Sequence, residues 1–354
     1  MANNLIVLGI ESTCDETGVG ILQNGKILAN EIASSADEHA RFGGVIPEIA
    51  SRAHLEALRP TLDRALNTAN IDLNEIDVIA VSAGPGLAGC LATGVSFAKG
   101  LAFSLGCPLF GVNHVAAHIF VNSLVFDNFV DEFIGLVVSG GHTAIIKVAG
   151  KVIEIIGSTT DDAAGECFDK IGRLLGLDYP AGPQMDEMSK KGDENFVQFP
   201  KGYTQKKHFD EHRFDFSFSG LKTAVARYIG ANLDKLNSKK NSNSSKFKYD
   251  IIASLSKAVT EVLVKKTLDA AQYFNIKTIC IGGGFSANSY LRSFLQSQCL
   301  QLGYELFIPP VKLCTDNGVM VAKLGEILFT ANKAQSPKNF SIDSSMSLKK
   351  LYMN

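Results

Sequence analysis

The sequence reads as an α/β protein built twice over, a duplicated two-lobe fold whose halves face one another across a central cleft. Three observations predict this. A length of 354 residues exceeds the size at which a single core usually keeps growing. Hydrophobic residues at 46% and charged ones at 20% are enough for packed cores and too apolar for a disordered chain. One grammar, three strands and a helix with a polar turn after the first strand, occurs twice.

The first repeat opens with a strand over residues 5–10. A polar turn follows, Glu11-Ser12-Thr13-Cys14-Asp15-Glu16-Thr17, then a second strand from Gly18 to Leu22. Asn24-Gly25 is a hairpin signal that leads to a third strand, Lys26 to Ile32. Pro47 opens a long amphipathic helix with Ile49, Ala53, Leu55, Leu58, Leu62 and Leu66 on or near one face. Asp77 to Ser82 and Pro108 to Val112 add parallel-type strands with a helix between them. Val78 to Ala98 carries no charge, but Pro85 with Gly84, Gly86, Gly89 and Gly94 divides it into strand, tight turn and small-residue helix, which argues against a membrane span.

The second repeat runs Phe133 to Val138, the turn Ser139-Gly140-Gly141-His142-Thr143, Ala144 to Val148, Val152 to Ile156, and a helix from Asp161 to Leu175. Residues 177–217 read as an irregular charged insertion and Leu236 to Lys248 as a low-complexity surface loop. A helix from Ile251 to Phe274, a strand from Thr278 to Ile281, a helix from Ser286 to Gln301, a strand from Glu305 to Ile308 and a closing helix from Asn317 to Thr330 follow. The tail from Gln335 is expected to be loosely held. The expected division is an N-terminal lobe over 1–130, a C-terminal lobe over 131–330 with an inserted helical segment at about 177–275, and a tail over 331–354.

Composition narrows the function. A net charge of −2 excludes nucleic-acid binding by bulk charge, though not by a local basic patch. The seven cysteines form no C-x-x-C pair, which points to reduced thiols and a cytoplasmic protein. The N-terminus has no basic n-region and reads as a first strand, with no signal peptide.

His114 and His118, four residues apart on a helix-like segment, stack on one helical face and can share a metal ion. Such pairs also arise by chance. A second one, His208 and His212, lies among Lys206, Lys207 and Arg213, where a solvated stretch is the simpler reading. Asp316, just before the closing helix, is explained by an N-cap; with the two histidines it would complete a two-histidine, one-carboxylate set that suits iron or zinc. Val115 follows His114, so the glutamate of H-E-x-x-H is missing and a protease of that type is disfavoured.

Gly84 to Gly89 fits G-x-G-x-x-G, but the next acid is Asp127, so a packing turn is preferred to a dinucleotide site. No P-loop occurs. Val137 to His142 and Ile281 to Asn288 place glycines at strand ends, where backbone can approach a phosphate or a purine. Asp169, Gly182 and Asp186 are positioned to grip ribose hydroxyls, with solvated surface acids as the alternative.

Taken in order, Gly9 to Thr17, Gly43 to Glu48, Ala83 to Leu87, His114 to His118, Val138 to His142, Asp161 to Glu166, Asp215 to Thr223 and Cys314 to Gly318 resemble the tRNA adenosine threonylcarbamoyltransferase family, the TsaD type once labelled O-sialoglycoprotein endopeptidase. The resemblance covers about residues 5 to 330. It implies an actin-like, Hsp70-like, sugar-kinase-like fold and transfer of threonylcarbamoyl from threonylcarbamoyl-AMP to N6 of adenosine 37 in tRNAs that read ANN codons. It implies that His114, His118 and Asp316 hold a metal ion, usually iron. It implies that Val137, Val138, Ser139, Gly140, Gly141, Asp169, Gly182, Asp186 and Asn288 hold the adenylate.

Asp15 and Glu16 become candidates for proton handling, against turn-capping acids. A paralogous partner subunit and a small ATPase are the implied partners in bacteria, with no membrane. A mildly acidic chain then needs a local basic patch for tRNA, from Lys201, Lys206, Lys207, His208, Arg213, Lys222 and Arg227 or from Arg41, Arg52 and Arg59. The competing classes are an ATP-dependent phosphotransferase of the sugar-kinase type and a non-catalytic actin-like scaffold.

Overall fold

The computed structural model describes residues 4–150, 152–205, 209–237, 243–331, 340–346 and 351–352. They fall into two compact units, one from the described residues of Met1–Phe129, Lys151–Ile153 and Thr315–Asn354, the other from those of Val130–Gly150 and Glu154–Cys314.

The first unit begins with the expected meander β1 (Ile6–Glu11), β2 (Glu16–Gln23) and β3 (Lys26–Ser34). A short helix α1 (Ala36–Ala40) and the long α2 (Pro47–Ala69) follow, then β4 (Val78–Gly84), α3 (Ala88–Leu105), β5 (Leu109–Asn113) and α4 (His114–Phe120). The five strands order β3-β2-β1-β4-β5, with β1 antiparallel to β2 and parallel to β4. All six residues of β1 are buried, as expected of a central strand covered on both faces.

On α2 the buried positions are Ala50, His54, Leu58, Thr61, Leu62 and Ala65, while Leu55 is 73% exposed. The expected apolar face is therefore rotated, because His54 goes inside. Its Nδ1 lies 2.7 Å from the Thr17 hydroxyl and its Nε2 3.0 Å from the Cys14 carbonyl, so both ring nitrogens are engaged. Helix α3 is long and apolar enough to cross a membrane by composition alone, yet it buries Cys90, Leu91, Gly94, Val95, Ala98 and Ala102.

The second unit repeats the pattern with β6 (Glu132–Val138), β7 (Thr143–Ala149), β8 (Val152–Ser158) and α5 (Ala164–Leu174). Next come α6 (Gly182–Ser189), α7 (Phe209–His212), α8 (Ser219–Gly230), α9 (Leu233–Asn237), α10 (Asn243–Tyr273), β9 (Thr278–Gly282), α11 (Ser289–Leu302) and β10 (Glu305–Phe307). Its strands order β10-β9-β6-β7-β8. Helix α5 starts later than the sequence suggests. Asp161 instead accepts hydrogen bonds from the Phe218 and Ser219 N–H groups, at 2.7 and 3.2 Å, and from the Ser217 hydroxyl at 2.6 Å. Helix α10 starts eight residues early and turns the end of the expected loop helical; of that loop, residues 238–242 lie outside the described residues.

The chain then returns to the first unit with α12 (Gly318–Thr330), which corrects the expectation that 131–330 form one lobe. The reason is close backbone packing. A Cβ on Gly9 would lie 2.1 Å from the Gly318 carbonyl oxygen, and one on Gly318 would lie 2.0 Å from the Gly20 nitrogen. The tail is also corrected over residues 340–346, which dock on this unit. The Asp343 N–H donates to the Ala83 carbonyl at 2.9 Å, Lys99 Nζ to the Phe340 carbonyl at 2.8 Å, and Asn113 Nδ2 to the Met346 carbonyl at 3.4 Å.

Two predictions follow from this packing and from Asp162. Gly9→Val should lower unfolding free energy by about 3 kcal/mol or more in equilibrium urea titration, because the clash is with backbone that cannot move aside. Burial would raise the Asp162 pKa, but hydrogen bonds from Lys170 (2.8 Å) and Lys222 more than offset it and hold it below the usual carboxylate value. A depressed folded pKa stabilises above the unfolded pKa and loses that stabilisation as pH falls. Asp162→Asn should therefore cost about 1 kcal/mol at pH 7, held low by the half-exposed Lys170, and the gap from wild type should close as pH drops below the normal carboxylate pKa.

Candidate functional site

In the first unit, β5 ends at Asn113, whose side-chain oxygen accepts from the Ala116 N–H at 3.0 Å and caps α4. The cap starts the helix at His114 and so sets both imidazoles on one buried face, at 4% and 1% exposure. Their ring centroids are 4.7 Å apart at 77°. At the other end of the sequence the N-cap of α12 is Asn317, which accepts from the Met320 N–H at 3.0 Å. Asp316 is thus not the cap, and its carboxylate turns to the histidines.

Asp316 Oδ1 lies 3.0 Å from His118 Nε2 and 3.6 Å from His114 Nε2. One ligand atom from each of the three residues falls within 4.8 Å of the others, the one such group of three among the described residues. His118 Nε2 is buried and faces the carboxylate without hydrogen-bond geometry. Two imidazole nitrogens and a carboxylate oxygen converging on one point, one of them unsatisfied, fit an ion such as zinc or iron. A metal ion is therefore a sound fit to these residues.

Electrostatics point the same way. Burial lowers the pKa of His114, but Glu11 and then Asp316 outweigh it and push it up to about 9. Glu16, at the start of β2, is raised well above the usual carboxylate value by burial, then by Asp316 and Asp15. Acids gathered in this way call for a cation. Asp15 sits in the turn between β1 and β2, its carbonyl accepting from the Ser35 N–H at 2.9 Å and the Ser35 hydroxyl at 3.0 Å.

The residue that sequence reasoning missed is Glu11. It is fully buried, and its Oε2 lies 3.0 Å from His114 Nδ1 and 2.5 Å from the Ser82 hydroxyl. A lone acid ending an otherwise apolar central strand is the signal that could have found it, since a buried charge needs a partner. Gly84 to Gly89 proves to be a packing turn: a Cβ on Gly86 would lie 2.8 Å from the Thr13 Cβ, and the Leu87 N–H donates to the Thr13 carbonyl at 2.9 Å.

In the second unit, the two glycine turns come together. Gly283 has φ +90°, and a Cβ there would meet the Val138 carbonyl oxygen at 2.4 Å. Val137 and Val138 are buried at the end of β6, and Ser139 closes the turn by accepting at Oγ from the His142 N–H at 3.1 Å. Gly140, Gly141 and Gly182 have open space where a side chain would be. Phe168 of α5 packs edge-on to Phe285 at 4.7 Å, which ties α5 to the second turn.

Asp169 Oδ1 accepts from the Ala181 N–H at 2.9 Å and fixes the start of α6, where Gly182 lies. Asp186 Oδ1 accepts from the Ser289 N–H and hydroxyl at 3.0 and 2.9 Å, while Asn288 caps α11 through Leu291 N–H at 2.9 Å. Both therefore hold the start of α11. A cavity of about 260 Å³ beside them is lined by Ser189, Lys190, Glu194, Ser289, Tyr290 and Ser293. Glycine backbone, carboxylates and a polar cavity so joined can accept a nucleotide.

The basic patch fares differently. Lys206, Lys207 and His208 lie outside the described residues, so the second histidine pair is not described as a pair. Lys201 pairs with Glu261, Lys222 with Asp162, and Arg213 with Asp269 at 2.8 Å, while Arg59 pairs with Asp63 at 2.8 Å. These cations are matched by acids within their own units.

The family model for tRNA N6-adenosine threonylcarbamoyltransferase matches residues 26–323. The chain is 49% identical over 351 residues to the tRNA N6-adenosine threonylcarbamoyltransferase of Bifidobacterium adolescentis, covering 98% of this chain and 99% of that one. It is 48% identical over 326 residues to that of Thermosipho africanus, covering 92% and 94%. Among solved structures it is similar to HypF of T. kodakarensis, with TM-score 0.59, 14% identity and 95% and 49% of the two chains covered. It is also similar to component A of the Acidaminococcus fermentans (R)-2-hydroxyglutaryl-CoA dehydratase, with TM-score 0.50, 13% identity and 91% and 97% covered. These likenesses establish the duplicated actin-like fold.

His118→Ala should abolish stoichiometric metal uptake. Elemental analysis after loading with Zn²⁺ should fall from about one ion per chain to a small fraction of that.

Proposed function

Because the chain belongs to the tRNA N6-adenosine threonylcarbamoyltransferase family, we propose that its two units divide the work, the second holding an activated donor and the first a metal ion. The chain is a transferase that places a threonylcarbamoyl group on N6 of an adenosine in tRNA. The donor in this reading is threonylcarbamoyl-AMP, and the acceptor is adenosine 37 of tRNAs that read ANN codons. The N6 amine attacks the carbamoyl carbon, the bond from that carbon to the phosphate oxygen breaks, AMP leaves with the electron pair, and N6 gives up a proton. The products are t6A and AMP.

Each residue then has a task. The backbone of Val137, Val138, Ser139, Gly140 and Gly141 takes the phosphate, Asp169, Gly182 and Asp186 the ribose, and Asn288 with the adjoining cavity the base. His114, His118 and Asp316 hold the ion, iron by the family resemblance, with Zn²⁺ as the alternative. When bound, that ion would supply Lewis-acid chemistry. Asp15 and Glu16 are the groups for the N6 proton. An aryl-type amine is a weak nucleophile, so most of the acceleration in this reading comes from positioning and from preorganised N–H donors.

The observation that carries the reading is the convergence of His114, His118 and Asp316 within 4.8 Å in a chain that matches the family almost end to end. The seven thiols form no disulfide, which supports a cytoplasmic enzyme. A paralogous partner subunit and a small ATPase are its proposed partners, with no membrane.

The test is an incubation of the purified chain, with and without those partners, with threonylcarbamoyl-AMP and an unmodified tRNA that reads an ANN codon, followed by nucleoside analysis. Wild type should form t6A, and His114→Ala should lower the rate at least about 100-fold. An unmodified tRNA beside ATP-dependent phosphorylation of a small molecule would favour the sugar-kinase reading; neither product would favour the scaffold.

A further inference from the structure

Glu11 is the most completely enclosed acid among the described residues of the first unit, and no part of the transfer chemistry uses it. It closes β1 at 0% exposure, where an ionised carboxylate is costly unless every oxygen is matched. Each oxygen is. Oε1 accepts from the Thr13 N–H at 2.7 Å, and Oε2 accepts from the Ser82 hydroxyl at 2.5 Å and meets His114 Nδ1 at 3.0 Å.

We propose that Glu11 is the positioning residue of the ion site: its carboxylate accepts a hydrogen bond from the Nδ1–H of His114, keeps the proton on that nitrogen and so leaves the Nε2 lone pair aimed at Asp316 and His118. The ring has two nitrogens, and only one can hold a proton while the other binds a cation. The hydrogen bond at one nitrogen decides which. The nitrogen toward Glu11 is Nδ1, and the nitrogen 3.6 Å from Asp316 is Nε2. The inference rests on reading His114, His118 and Asp316 as an ion site.

The proposal also gives the Gly84–Gly89 turn a purpose. Glu11 is held by the loop that follows it, and that loop is pressed into α3 and the turn before it. A Cβ on Gly94 would lie 2.0 Å from the Ser12 hydroxyl, and Gly86 abuts Thr13 in the same way. The Ser12 hydroxyl also donates to the Cys90 carbonyl at 3.2 Å. Small residues on α3 thus bring Thr13 N–H to Oε1, and β4 brings Ser82 to Oε2. The line of contact runs from α3 to Ser12 and Thr13, to Glu11, to the ring of His114.

The experiment uses the full chain and Zn²⁺ alone as probe, with affinity measured by competition against a chromophoric chelator and the His114 ring followed by long-range ¹H–¹⁵N spectra. In the Zn²⁺-loaded wild type, Nδ1 of His114 should carry the proton. Glu11→Gln should weaken Zn²⁺ binding about 10- to 100-fold, and Ser82→Ala should weaken it less in the same direction. Should Glu11→Gln fail to fold, the wild-type tautomer and Ser82→Ala decide. Unchanged affinity in both folded variants, or a proton on His114 Nε2 in the loaded wild type, overturns the assignment. If wild type takes up no more Zn²⁺ than His118→Ala, it is the ion site that fails, and Glu11's part in it falls for that separate reason.

Discussion

The contact on which the first unit depends is backbone on backbone. Helix α12 crosses β1 and β2 with glycine facing glycine, Gly318 against Gly20 and Gly9, at separations that leave no room for a methyl group. Only there can a helix sit low enough on the sheet to bring the residue two before its first turn, Asp316, to a pair of histidines some two hundred positions earlier in the chain. Dispersion and hydrophobic burial hold the helix down, through Val319, Met320, Val321, Ala322 and Leu324. The glycines decide how far down.

Much of this was legible. The doubled β-β-β-α grammar was visible because each repeat carries alternating or wholly apolar strands broken by short polar turns, a pattern set by local periodicity. The two histidines were legible for the same reason, since four residues apart on a helix is a local relation. Asp316 was half legible. The acid was placed at the right helix, but its ordinary explanation, the N-cap, belongs to Asn317, whose side chain reaches Met320 N–H and frees the aspartate.

What was not legible was long-range. Nothing local distinguishes Leu55 from Leu58 on α2, and it takes the Thr17 hydroxyl and the Cys14 carbonyl to pull His54 inward and leave Leu55 in solvent. The tail could not be read because its partners, Ala83, Lys99 and Asn113, lie far back in the chain. The sequence shows the cations of the basic insertion but not the acids that pair with them. Arg213 is clamped by Asp269 from α10 and lies over the Tyr273 ring at 4.5 Å.

The two repeats put the same turn to different use, and the difference is in side-chain length. After β6 the turn is serine and glycine, so it offers backbone N–H groups and leaves space beside Gly140 and Gly141. After β1 the turn is acidic and packed, with Glu11 sealed inside and Glu16 kept from easy ionisation by its own burial and then by the neighbouring Asp316 and Asp15. A glycine turn suits an anion that must be bound and then let go. An acidic turn beside two buried imidazoles suits a cation that stays, because four acids and two histidines can share their charge with one ion at less cost than they can bear it unshared. The frame is duplicated, and glycine in one copy against carboxylate in the other is what sets the two first turns apart.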